Sequence, residues 1–266
     1  MPSKTPSSSA AAALLQSAAD TGVLSAATAQ IIQVPDLGQR VQEALGMPAG
    51  QYENSEVTLV AMMIDDSGSI RFSGQAQTMR DGHNLALTAL GGAKSRNNIL
   101  VHWRFLNGKV LYPYGPLDTA VKMTPQNYDP ALGTPLYDET VVFLSAVAAK
   151  YQEFTDQGID ARAVSLIMTD GADEHSHLHT AADCQRLIHD LLKTEHHIIA
   201  AMGINNGSTD FQRVFEEMGI PKEWILTPDN TEKELRAAFR TFSQSAVRAS
   251  QGAQSFSQAA GGGFTG

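Results

Sequence analysis

Val57-Thr-Leu-Val-Ala-Met-Met-Ile-Asp-Asp-Ser-Gly-Ser69 is an apolar run that ends abruptly in oxygen-bearing side chains. The run Val57–Ile64 reads as a buried strand: short, apolar and bounded by turn residues. Asp65, Ser67 and Ser69 then occupy alternate positions in the loop at its carboxyl end. One carboxylate and two hydroxyls so spaced make half of a site for a hard cation. Such oxygens suit Mg²⁺, which keeps some of its waters and leaves room for a ligand from outside. A chain with this content of Asp and Ser contains about 0.09 matches to Asp-x-Ser-x-Ser by chance. The pattern alone is therefore suggestive, and its position at a strand end strengthens it.

Outward from this stretch, short apolar runs alternate with longer amphipathic ones. Strands are expected over Val57–Ile64, Ile99–Leu106, Lys109–Tyr112, Ala163–Met168, Ile198–Met202 and Trp224–Leu226. Helices are expected over Gln75–Lys94, Leu136–Phe154, Ala181–Glu195, Asp210–Met218 and Thr231–Ser245. Such alternation implies an α/β domain with a mostly parallel sheet covered by helices on both faces. Asn107-Gly108 is a tight-turn signal and predicts one antiparallel edge strand.

Two further segments bring oxygen to loops or strand ends. Leu132-Gly-Thr-Pro-Leu-Tyr137 offers Thr134 at a helix start, and Val164-Ser-Leu-Ile-Met-Thr-Asp-Gly171 offers Asp170 after a strand. Open α/β sheets hold ligands beyond the carboxyl ends of their strands. That rule brings Asp65, Ser67, Ser69, Thr134 and Asp170 toward one crevice.

Taken together, the three segments resemble the von Willebrand factor A domain over about residues 55–243. That family's metal-ion-dependent adhesion site uses an Asp-x-Ser-x-Ser loop, a Thr before a Pro-Leu helix start and an Asp in a Thr-Asp-Gly turn. All five positions match in the family's order. The resemblance implies a three-layer, Rossmann-like fold. It implies an Mg²⁺ or Mn²⁺ site with Ser67 and Ser69 as direct ligands and Thr134 as a ligand in an open state. Asp65 and Asp170 would be inner- or outer-shell carboxylates. The partner would be another protein offering an Asp or Glu to the metal, and the chain would not be an enzyme. The competing reading is a metal-dependent hydrolase or phosphatase with Asp65 as phosphoryl nucleophile. Against it, Asp66-Ser67 replaces the Asp-x-Asp-x-Thr pattern of haloacid-dehalogenase-like phosphatases. No Gly-rich phosphate loop or Ser-His-Asp signature stands out either.

Composition narrows the partners. Lys and Arg number 19 against 28 Asp and Glu, a net charge of −9. An acidic surface disfavours nucleic acid and anionic membrane. No apolar run is long enough to span a bilayer, and Ala10-Ala-Ala-Ala-Leu-Leu15 is too short for a signal peptide. The single cysteine, Cys184, excludes an internal disulfide and reads as a buried small hydrophobe. These features favour the cytoplasm.

Residues 1–54 form an Ala/Ser-rich leader, either floppy or weakly helical near Leu14 to Ile32, with a short helix over Leu37–Leu45. The leader is expected to be poorly ordered to about residue 10. Residues 244–266 form a tail in which Ser-Gln-x-Ala recurs every seven residues from Ser243, with Phe242 and Phe256 before the first and third copies. A solvated low-complexity tail is favoured; the alternative is a tail that docks on a partner or on the domain itself. The tail resembles those of bacterial von Willebrand A proteins of the tellurite-resistance type, and that resemblance implies a stress or signalling complex as the setting.

Near the site, Asp66 is expected to point into loop hydrogen bonds, and Gly68 and Gly171 to supply backbone conformations closed to other residues. Asp118, Asp129 and Asp138 are candidates to tune the field around Thr134. His175, His177 and His179 read as a polar loop, with a transition-metal site as the alternative. The stretch Asn205–Asp210 is expected at the same sheet edge, as a helix N-cap loop or as part of the rim.

Overall fold

A computed structural model describes residues 10–265 of the chain. At its centre is β1 (Glu56–Ile64), buried at every position but the first. A strand buried on both faces cannot alternate, which is why its sequence is continuously apolar. Around it lie β2 (Ile99–Phe105), β3 (Val110–Pro116), β4 (Asp160–Thr169), β5 (His197–Gly203) and the two-residue β6 (Ile225–Leu226). The sheet order is β3-β2-β1-β4-β5-β6. Every pairing is parallel except β2 with β3, which the Asn107-Gly108 turn joins as an antiparallel edge. The chain lays β2 on one side of β1 and β4 on the other, so the carboxyl ends of β1 and β4 flank the switch point.

Among the described residues, three helices precede β1: α1 (Ala10–Asp20), α2 (Ala26–Ile31) and α3 (Leu37–Leu45). Seven more follow: α4 (Gly68–Phe72), α5 (Ala76–Gly91), α6 (Leu136–Thr155), α7 (Ala181–Lys193), α8 (Phe211–Glu217), α9 (Glu232–Ala249) and α10 (Ala253–Gly262). One face of the sheet carries α5 packed against α9; the other carries α6 beside α7. Gly82 sits where α5 meets α9, and a Cβ there would fall 2.1 Å from the Phe239 ring.

The N-terminal segment departs from the single weak helix entertained over Leu14–Ile32. Gly22, with φ +83°, breaks it into α1 and α2. Ser25 caps α2 through the Thr28 amide. Buried Ala11, Leu15 and Ala18 set α1 against α6, and Asp190 on α7 accepts from Thr28 Oγ1 at 2.6 Å. This covering explains why α6 is buried nearly all round. The part of the leader expected to be disordered, up to residue 10, lies almost wholly outside the described residues.

The tail is not solvated, a correction to the favoured reading. Helix α9 runs on to Ala249, and Gly252 turns the chain into α10. Phe242 and Phe256 are 0% and 1% exposed. Trp224 Nε1 donates to Ala260 O, and the Trp224 ring meets Phe264 edge-on at 4.9 Å. The two phenylalanines dock the segment while the glutamines of the repeat stay exposed: burying Phe242 and Phe256 offsets the low helix propensity of the Gly- and Ser-rich segment.

Candidate functional site

Strand β1 delivers Asp65 to the carboxyl edge, and β4 delivers Thr169 and Asp170 beside it. The Asp65 carboxylate is fully buried and fully engaged. Its Oδ1 accepts from the Ser67 amide at 2.7 Å; its Oδ2 accepts from Thr169 Oγ1 at 2.7 Å and the Asp170 amide at 3.0 Å. Burial pushes the Asp65 carboxyl pKa up, and the hydrogen bonds from Ser67 and Thr169 oppose that shift. Asp65 thus folds the first loop onto the end of β4.

Three oxygens stand clear of this organising carboxylate. Ser67 Oγ and Ser69 Oγ are 2.8 Å apart, and Asp170 Oδ1 accepts from Ser67 Oγ at 3.3 Å and from Ser69 Oγ at 2.5 Å. Ser67 and Asp170 are 2% and 6% exposed, whereas Ser69 faces solvent. Burial raises the Asp170 pKa to about 6, with the Asp65 charge adding to the rise.

Thr134 reaches the same place by another route. The Asp66 carbonyl accepts the Ala131 and Leu132 amides, and the Leu132 carbonyl accepts the Gly68 amide at 2.9 Å. Behind it, the Glu174 and His175 amides donate to Thr134 O, and the Thr134 amide donates to His175 Nδ1 at 3.0 Å. A Cβ on Gly171 would lie 3.4 Å from Thr134 Oγ1. Three sequence-distant segments therefore meet at one cleft of about 620 Å³, with Ser67, Ser69, Thr134 and Asp170 in its walls.

Asp66 points into the loop, accepting from the backbone and side-chain amides of Asn107. Gly68 and Gly171 correct the expectation of special backbone, since neither has positive φ. An added Cβ would meet only ordinary contacts at either, Thr134 Oγ1 at 3.4 Å from Gly171 and the Phe72 ring at 3.6 Å from Gly68. Asp138 accepts the His177 and His179 amides at 2.8 and 2.7 Å, bracing the loop behind Thr134. Asp129 pairs with exposed Arg71, and Asp118 lines a separate cleft with Tyr52 and Arg96, at the amino edge of the sheet. His179 is held between Asp138 and the Ile31 carbonyl. Among the described residues, no group of three or more His, Cys, Asp and Glu could hold a metal ion. Cys184 is buried at 0% exposure, and burial raises its thiol pKa well above the ordinary value.

Sequence reasoning named His175, Asn107 and Asn206 only as loop, turn and rim residues and missed their contacts with the site, among them the Asn206 side chain, which donates to Asp170 O at 2.8 Å. One signal was available for His175. Gly133 precedes Thr134, and a Cβ there would strike the His175 ring at 2.8 Å. The Asn205–Asp210 stretch is both things expected of it: Asp210 caps α8, and Asn206 lies in the rim.

No family model matches this sequence, and no curated protein does. Solved structures match in fold. The pilus adhesin SpaC from Lactobacillus rhamnosus GG, in its open conformation, superposes with a TM-score of 0.54 at 14% identity, covering 74% of this chain and 30% of that one. A second form of the same adhesin gives 0.55 at 13%, over 74% and 31%. Manganese-loaded Plasmodium vivax TRAP protein gives 0.44 at 17%, over 71% and 73%. This chain therefore spans about three tenths of the adhesin's length. The class is defined by architecture: a Rossmann-like α/β fold of the von Willebrand factor A type, six strands with one antiparallel edge. At 13–14% identity the likeness is one of fold alone. Among the described residues, no helix is long and apolar enough to cross a membrane.

Proposed function

We propose that this protein is a binding module that recognises an acidic side chain of a partner protein through a divalent cation, Mg²⁺ or Mn²⁺. The observation that carries the reading is the spacing of Ser67 Oγ, Ser69 Oγ and Asp170 Oδ1, 2.5–3.3 Å from one another. Neighbouring ligands of an octahedral ion with bonds of 2.0–2.1 Å are about 2.9 Å apart. The donor set therefore fits a hard cation, and two hydroxyls with one carboxylate leave it electron-poor. Ser67 and Ser69 would hold the ion directly. Asp170 and Asp65 would supply charge, Asp65 from the outer shell because both its oxygens are engaged. Thr134 would join when its loop moves inward. Kinship of fold with a pilus adhesin is compatible with a binding role.

The enzymatic alternative needs an accessible Asp65 oxygen. Asp65 is 0% exposed and its two oxygens accept three hydrogen bonds, which disfavours nucleophilic attack. One cysteine and an acidic surface suit a cytoplasmic module.

The test is calorimetric titration of Mn²⁺ and Mg²⁺ into wild type and Ser69→Ala, followed by partner capture with and without chelator. Saturable binding lost in the variant, with capture abolished by chelator, is the expected result. Equal heats in both proteins and chelator-insensitive capture would remove the reading.

A further inference from the structure

Four large hydrophobic side chains stand exposed among the described residues: Phe72, Val121, Leu132 and Leu178. Two of them, Phe72 at 91% and Leu132 at 58%, lie in the wall of the cleft that holds Ser67, Ser69 and Asp170. They are neighbours in space. The Phe72 ring passes 3.6 Å from the Gly68 Cβ position, which lies 4.0 Å from the Ala131 carbonyl, while Leu132 bridges to Ser67. An apolar ring left in water beside a polar site forgoes the gain of burial, and such a patch marks a contact.

The facing wall is polar and stiff. Asn206 donates to Asp170 O and Thr209 and accepts from the Ser208 and Thr209 amides; Asn205 donates to Asp229. Apolar contact is therefore available on one side of the cleft only. Charge narrows the occupant further. Glu174 lines the cleft, Asp229 accepts from Asn205 in its wall, and the chain carries −9. A run of acids would be repelled, whereas a single carboxylate has the cation to meet.

We infer that the cleft takes an extended protein segment bearing one Asp or Glu next to a large apolar residue, the carboxylate on the cation and its neighbour on Phe72 and Leu132. This inference rests on the proposed metal site and adds the partner's chemistry to it.

The test uses the full chain on an array of immobilised peptides, Gly-Ser-X-Asp-X-Gly-Ser, with each X varied over all residues and Asp also replaced by Asn. The array is read in Mn²⁺ and in chelator, and calorimetry measures Mn²⁺ binding to wild type, Phe72→Ser and Leu132→Ser. Both side chains are exposed, so neither substitution should disturb folding. The expected result is Mn²⁺-dependent retention of peptides with Leu, Ile, Met or Phe on one side of Asp. The variants should weaken that retention about tenfold with Mn²⁺ affinity unchanged. Retention indifferent to X, retention of acidic runs, or retention unchanged in both variants would overturn the inference and leave the metal site standing. No retention despite measured Mn²⁺ binding, or a metal-dependent dimer sealing the patch in sedimentation, would also overturn it. Absence of Mn²⁺ binding would remove the metal reading itself.

Discussion

Asn107 and Asp66 are joined twice: the backbone amide and the side-chain amide of Asn107 both donate to Asp66 Oδ1, at 3.0 and 2.9 Å. The same side chain donates to Gly133 O at 2.7 Å, one residue before Thr134. The β2–β3 turn thus clamps the first loop to the Thr134 loop without touching a proposed ligand. Asn107→Ala removes both side-chain bonds and leaves the buried Asp66 charge held by one amide, at a cost of about 1–3 kcal/mol. The expected outcome is a lower melting temperature together with several-fold weaker Mn²⁺ binding. Unchanged metal affinity at lowered stability would show that the clamp does not position Thr134.

Asp65 and Asp170 lie against each other at the sheet edge, and burial raises the pKa of both. A group whose folded pKa is raised contributes stability that is lost as pH rises through that value. At neutral pH, without metal, the Asp170 charge is therefore destabilising. Asp170→Asn keeps an acceptor for the two serines and removes the charge. In chelator it should melt higher than wild type, and Mn²⁺ should raise the wild-type melting temperature but not that of the variant. Thermal melts at pH 7.5 with and without Mn²⁺ decide this.

Three buried histidines set an acid limit. Burial lowers His102 and His197 to about 3 and His83 to about 4, against an ordinary 6.5. Their folded pKa values lie below the unfolded ones, so the unfolded chain binds more protons as pH drops. Stability is intact above 6.5 and falls progressively below it. Asp170, raised to about 6, works in the opposite direction and recovers part of the loss. Between pH 7.5 and 5.5, in chelator, the three histidines alone should cost on the order of 4 kcal/mol, and the Asp65 and Asp66 carboxyls, also raised by burial, offset a further part. Urea unfolding at both pH values measures it, and equal midpoints would contradict these environments.

Phe256 holds α10 on the domain, and Trp224 reports on it through Ala260 and Phe264. Phe256→Ala should cost about 3–5 kcal/mol if α10 stays docked, and less if the helix detaches and relaxes into water. Detachment is expected, seen as a red shift of Trp224 emission and fast amide exchange over 253–262. Trp103 is buried in the sheet and should not respond. A blue, unshifted emission with slow exchange would show that other contacts suffice to hold the tail.

Much of the fold was legible because its signals are local. The continuous apolar run of β1, the Asn107-Gly108 turn and the helical periodicity of α7 each follow from a few neighbouring residues. The tail was less legible: Gly252 and the glycines after Ala260 argue against a helix on propensity, and only the partners of Phe256 and Trp224 reverse that. Gly68 and Gly171 were misread for a related reason. A glycine in a loop can signal unusual φ, but the backbone it adopts is set by partners remote in sequence, such as the Leu132 carbonyl that accepts the Gly68 amide.

By itself the sequence determined the order of the six strands and of helices α5 to α9, and the positions of Asp65, Ser67, Ser69, Thr134 and Asp170 at loops and strand ends, since periodicity and chain punctuation act over a few residues. Tertiary structure alone decided that Asp65 spends both oxygens inside the fold while Asp170 Oδ1 meets the two serine hydroxyls. It alone set His175 behind Thr134 and left Phe72 bare at the rim. These outcomes depend on β4 lying beside β1 and on loops more than 30 residues apart stacking at one edge, and no local pattern encodes such long-range pairings.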